Sequence, residues 1–270
     1  MILLIPNIDL KNGKCSEIIN GENGTESYYN YLSCNPEELI KLIRRENAKS
    51  VNIVDLDSYD NLIFNNNYFD LEYDVNNELI NHNQNLLTIE NLCKNTDIPI
   101  QLEINIKKSI DVDKILDLGV YRISTKINTD LSNIELIKFL LDDYGTNKIS
   151  ILYELEKTKL YNGSLFDMLK KFENYKNLRI ILDFNNIKYI NLDELENLFI
   201  DIFDKVSFIK SKNLRFTIKN FIKNSKDLYS IKSFEKYNID SLIIGDELNN
   251  NIFPCQKIWR EIESKLEVLN

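Results

Sequence analysis

The chain has 270 residues and a net charge of −9, with 42 acidic against 33 basic side chains. That balance argues against a nucleic-acid partner, because a phosphate backbone needs a basic footprint. No apolar run approaches the ~20 residues that cross a bilayer. Met1–Pro6 is too short for a signal-peptide core and lacks a basic leader, so a cytoplasmic protein with no membrane partner is expected. A lone His82 and the dispersed Cys15, Cys34, Cys93 and Cys255 make neither a metal site nor a disulfide framework, and no cofactor is expected.

Strand-like apolar segments alternate with helical periods eight times. Strands are predicted at Ile2–Ile5, Ser50–Val54, Ile98–Leu102, Tyr121–Ser124, Ile149–Tyr153, Leu178–Asp183, Leu214–Ile218 and Ser241–Gly245. Between them, apolar residues at i, i+3, i+4 spacing predict helices over Pro36–Arg45, Gln84–Cys93, Ile110–Leu118, Asn133–Leu141, Ser164–Phe172, Leu192–Phe203, Lys226–Lys236 and Pro254–Leu266. Asn35, Ser132 and Asn191 stand where caps are expected. Eight such units predict an α/β fold in which residues 1–270 form a single (β/α)8 TIM barrel. An open doubly wound sheet is the rival, disfavoured by the regular count.

Two connections are long. Residues 14–31 carry Gly21 and Gly24, and Lys14–Ile19 with Ser27–Tyr31 could form a hairpin across the barrel mouth. Residues 58–81 mix Tyr59, Phe64, Tyr68, Phe69 and Tyr73 with Asp60, Asp70, Glu72 and Asp74. So many aromatics argue for packing on the rim or a contact surface rather than disorder. Glycine is scarce: seven residues, under half the ~7% average usage. Anion-binding barrels use glycines so that backbone N–H groups can approach the ligand.

The opening IPNIDLKNGKC, the NPEEL helix start and the strand SVNIVDLDS closely resemble the histidine-biosynthesis barrels, above all the phosphoribosylformimino-aminoimidazole carboxamide ribotide isomerase family. The resemblance implies an Amadori rearrangement of an aldose-like aminal, run by carboxylates at the ends of strands one and five. It also implies glycine-rich cups for two phosphates, after strands three and four and after strands seven and eight. Asp9 falls on the strand-one carboxylate. Tyr153 stands in the strand-five position with Glu154 one residue along, and strand alternation sets those two on opposite faces. Glu156 is a further displaced acid.

The cups are altered. Glu103, Ile104 and Asn105 replace a strand-three triple glycine, and Asn220-Phe221 replace the strand-seven pair. Gly245 remains, followed by Asp246-Glu247; Asn185-Asn186-Ile187-Lys188 occupies the strand-six turn. Lys107, with Lys108 and Lys126, is the remnant cation set near the old anion site, so Lys107 and Gly245 are the candidate substrate-binding residues. Asp55 and Asp183, each closing a strand four strands apart, suggest a barrel built from two halves. His82 reads as a loop residue and Trp259 as packing in the last helix. The expectation is a barrel of this family that has lost its phosphate cups and second acid, and takes another small-molecule ligand or a protein partner. The alternatives are a working isomerase with Asp9 as main catalytic residue, and an interaction module using the 58–81 loop.

Overall fold

Parallel barrel strands are covered on both faces, so they must be apolar almost throughout. The runs rich in Ile, Leu and Val satisfy this: in the computed structural model Val51–Asp55 and Ile100–Glu103 are buried at every position. The structure describes residues 2–16, 31–32, 34–45, 47–60, 68, 83–128, 130–156, 164–187, 191–206, 212–222 and 225–245. His82, Trp259, the Pro254–Leu266 helix, Lys188, Asp246-Glu247 and most of both long connections lie outside them.

The strands are β1 (Leu3–Lys11), β2 (Lys14–Cys15), β3 (Val51–Asp55), β4 (Ile100–Glu103), β5 (Arg122–Lys126), β6 (Ile149–Glu154), β7 (Arg179–Asp183), β8 (Arg215–Lys219) and β9 (Ile239–Ile244). β1 and β3 to β9 pair in parallel in chain order, and β9 pairs back onto β1 through Leu3↔Ser241 to Pro6↔Ile244. The sheet is therefore closed: a (β/α)8 TIM barrel. Between the strands run α1 (Pro36–Arg45), α2 (Gln84–Asn95), α3 (Ile110–Asp117), α4 (Leu131–Tyr144), α5 (Ser164–Lys171), α6 (Leu192–Lys205) and α7 (Ser225–Ile231). A 3-10 turn follows β3 at Leu56–Tyr59, and another follows α7 at Lys232–Tyr237. None of the described helices is long and apolar enough to cross a membrane.

Local signals set several boundaries. Asn191 caps α6 in a reciprocal capping box: its side chain accepts from Glu194 N, and Glu194 accepts from Asn191 N. α4 begins at Leu131, ahead of the expected Ser132 cap, because Asp130 already holds the extended backbone of an N-cap. The segments expected to pair as a hairpin, Lys14–Ile19 and Ser27–Tyr31, lie largely outside the described residues. Lys14–Cys15 folds back onto β1 itself, through Asn12 and Gly13 at φ 50° and 74°. Two consecutive left-handed residues make the type I′ turn that matches strand twist.

The same preference explains the scarce glycines. Asn12, Asn47, Asn177, Asn213, Asn220 and Asn238 all hold positive φ. Asn tolerates the left-handed region better than other side chains, so it serves at turns where many chains use glycine.

Candidate functional site

Alternation along the strands decides which side chains enter the barrel. Ile5, Leu152, Ile181 and Ile243 form a separate apolar cluster inside it. Residues of the same parity therefore face inward: Asn7 and Asp9, Asn52, Gln101 and Glu103, Ser124 and Lys126, Ser150 and Glu154, Asp183, Thr217 and Lys219. The last residues of these strands ring the C-terminal mouth, the end where barrels of this kind carry their sites.

Asp9 ends a relay of amides. Gln101 Nε2 donates to Asn52 Oδ1 at 2.9 Å, Asn52 Nδ2 to Asn7 Oδ1 at 2.6 Å, and Asn7 Nδ2 to Asp9 Oδ1 at 2.6 Å. Each amide uses its oxygen to accept and its nitrogen to donate, so the chain orients the carboxylate as an acceptor. Gly245 belongs to this arrangement: a Cβ there would lie 3.3 Å from Asn7 Cβ and Nδ2. Its missing side chain lets Asn7 close beside Asp9.

A buried charge cluster occupies the centre of the mouth. Lys219 Nζ lies 2.7 Å from Glu103 Oε2 and 3.7 Å from Asp183 Oδ2, with all three side chains at most 7% exposed. Asp183 also accepts from Asn185 N at 2.9 Å and Asn220 Nδ2 at 2.8 Å. Burial opposes the charge on Lys219, yet Glu103, Asp183 and Asp9 outweigh it and hold the ammonium charged, with its pKa above the usual lysine range. Burial pushes Glu103 up, with Lys219 pulling it back in part.

The positions that the resemblance assigns to phosphate-binding glycines are filled. Ile104 is fully buried, and its N–H donates to Ser124 O at 3.1 Å. Asn105 N donates to Ser58 Oγ at 3.0 Å, while Asn105 Nδ2 donates to Ser58 O at 3.1 Å. Asn220 keeps a left-handed backbone at φ 60° but turns its amide onto Asp183. Phe221 packs edge-on against Phe184 with ring centroids 5.4 Å apart.

Among the remaining candidates, Glu154 enters the mouth from β6, the strand opposite β1, and is held by Lys126 Nζ at 2.6 Å. Tyr153 faces the other way, toward α5, with its hydroxyl 2.9 Å from Ser164 Oγ. Both residues line a recess of about 420 Å³ with Lys126, Met168 and Lys171. Glu156 lines the same recess. Lys107 and Lys108 lie exposed on the loop after β4. Asp55 and Asp183 do not occupy like positions. Asp183 faces into the mouth, whereas Asp55 faces outward and accepts from Tyr68 Oη at 2.8 Å and Asn85 Nδ2 at 2.6 Å.

Lys219 and Tyr59 are mouth residues that the sequence reading did not single out as site residues. The alternation Phe216-Thr217-Ile218-Lys219 was the available signal, since it puts a lysine on the inward parity of an otherwise apolar strand. The Tyr59 hydroxyl is buried without a hydrogen-bond partner among the described residues. Its pKa is raised by burial first, then by the charges of Glu103, Asp55, Glu154 and Asp183. Among the described residues no group of three or more His, Cys, Asp or Glu side chains is arranged to hold a metal ion.

No family model matches the chain. Curated relatives do, and they are imidazole-4-carboxamide isomerases whose systematic name carries two 5-phosphoribosyl groups. One from Chlorobium phaeobacteroides is 27% identical over 268 residues, covering 97% of this chain and 93% of the relative. One from Chlorobaculum tepidum is 27% identical over 272 residues, covering 99% and 95%. A third, from Pelodictyon phaeoclathratiforme, is 25% identical and covers 99% and 96%. The chain resembles the ribotide isomerases of histidine biosynthesis from end to end. The likeness first visible in IPNIDLKNGKC thus extends across the barrel.

Proposed function

We propose that this protein is a cytoplasmic barrel of the ribotide-isomerase type that no longer takes the bisphosphate substrate, and that its mouth receives an unphosphorylated small molecule. The observation that carries this reading is the Lys219–Glu103 ion pair spanning the mouth at 2.7 Å. A phosphate in the strand-three cup would meet the Glu103 carboxylate, and like charges at contact distance repel strongly in a water-poor site. The N–H groups of Ile104 and Asn105 that would cradle it are already spent on Ser124 O and Ser58 Oγ. Asp9 and Glu154 remain as a carboxylate pair on opposite strands, one held by amides and the other by a lysine. Unlike surroundings of that kind suit acid–base work on a ligand lying between them.

A second reading is favoured by that same Glu154: a working isomerase in which Asp9 and Glu154 share the proton transfers. Calorimetric titration with the isomerase's bisphosphate substrate separates the two. The proposal expects neither heat nor turnover at millimolar ligand. Micromolar binding, with turnover abolished in both Asp9→Asn and Glu154→Gln, would overturn it in favour of the isomerase.

A further inference from the structure

The opposite, N-terminal end of the barrel carries a different charge pattern. Three strands open on an arginine: β5 on Arg122, β7 on Arg179 and β8 on Arg215. Arg179 and Arg215 are register partners across β7 and β8. Arg122 shares the parity of Ser124, and Arg215 that of Thr217, so all three turn toward the barrel axis below the Ile5–Leu152–Ile181–Ile243 cluster.

Only one carboxylate among the described residues pairs with them. Asp240 receives Arg179 through both Nη1 and Nη2, the latter at 2.7 Å, and lies 3.5 Å from Arg215 Nη1. Arg122 has no ion-pair partner there; its Nε donates to the Asn147 carbonyl at 3.1 Å. Two hydroxyls complete the arrangement. Arg179 Nη1 also donates to Thr217 Oγ1 at 2.7 Å and Ser241 Oγ at 2.8 Å.

A purely structural ion pair needs one guanidinium per carboxylate. Here Arg179 and Arg215 share one and Arg122 has none among the described residues, in a chain whose overall charge is −9. Burial, and then the neighbouring Arg179, depress the pKa of Arg122. The apolar cluster above removes water from one side of the group, so mutual repulsion is poorly screened. The other side is open, with side-chain exposures of 13% at Arg179, 30% at Asp240 and 48% at Arg215.

We infer that this arginine cluster is a binding site for a small oxyanion, phosphate or a phosphate monoester. Guanidinium forks match the geometry of phosphate oxygens and pair with two of them at once. An anion there offsets the surplus positive charge and can accept from the Arg122 and Arg215 guanidinium groups, while the buried Thr217 and Ser241 hydroxyls hold Arg179 in place. The site is separate from the mouth and does not depend on what the mouth binds.

The test is titration of the full chain with inorganic phosphate, read by phosphorus NMR line broadening and by melting temperature, against chloride at matched ionic strength. Phosphate should raise the melting temperature above the chloride reference, as a ligand of the folded state does. Arg122→Gln should weaken its affinity about tenfold, the loss of one charge-assisted bond. The exposed Arg45→Gln should leave affinity unchanged. Arg215→Gln, at the most exposed of the three, gives the same readout if Arg122→Gln does not fold. An equal shift with chloride, or affinity unchanged in both variants, overturns the site. Competition by glucose 6-phosphate identifies a monoester ligand, and its failure to compete identifies free phosphate; both require the site.

Discussion

Lys219 on β8 places its Nζ 2.7 Å from Oε2 of Glu103 on β4, the strand facing it across the barrel. One bond thereby ties together two strands that share no backbone hydrogen bonds, at the position where a ligand of this fold would sit. Asp183 stands on the adjacent strand 3.7 Å away, so the ammonium is shared unequally between two carboxylates.

Removing one partner of a buried pair leaves the other charged and unpaired, at a cost of about 3–5 kcal/mol. Lys219→Met should be the more damaging change, because it leaves Glu103 and Asp183 facing each other. Glu103→Gln should cost less, since Lys219 retains Asp183. Urea denaturation of the two variants checks the order. The double variant Lys219→Met/Glu103→Leu should recover part of the loss, as apolar replacement of a whole buried pair often does.

Asp55 makes stability depend on pH. Burial, with the charge of Asp57 behind it, raises its pKa from 3.8 to about 6 despite the bonds from Asn85 and Tyr68. The folded state then keeps a proton that the unfolded chain has released. This contribution is complete below the unfolded value and is lost as pH rises through the folded one, an effect on the order of 1–3 kcal/mol. Asp55→Asn should remove it. Urea midpoints of both proteins between about pH 4 and pH 7 should show the wild type losing stability relative to the variant.

Gly13 is required by its turn. Its φ is +74°, and a Cβ there would lie 2.9 Å from Gln84 Cβ on α2. Gly13 N also donates to Asn85 Oδ1 at 2.6 Å, which fastens the hairpin to the helix. Gly13→Ala should cost about 1–3 kcal/mol, from strain at positive φ and displacement of α2. Thermal unfolding measures it.

Asn191→Ala removes the side-chain half of the α6 capping box, the acceptor for Glu194 N, and leaves the backbone N–H that donates to Glu194. A loss of about 1 kcal/mol in urea denaturation is expected. Asn191→Asp should restore most of it, because the carboxylate still accepts from Glu194 N and favours the helix dipole.

The barrel was legible in the residues because its causes are local and repeated. Eight apolar runs, each followed by a 3.6-residue period, leave few ways to bury so many strands covered on both faces. The α6 capping box and the I′ turn at Asn12-Gly13 are likewise written within a few consecutive residues. The mouth was less legible. Asp9 could be named from its own stretch, but Glu154 and Tyr153 differ only in parity, and the register of β6 against β7 turns the carboxylate inward and the phenol out. Lys219 lies 116 positions from Glu103, so their pairing depends on the diameter of the closed barrel and not on any neighbour in the chain. The sequence by itself determined that a barrel forms and which side chains alternate along each strand. Only the closed tertiary structure decided which of those alternating charges meet, because strands opposite one another touch solely through their side chains.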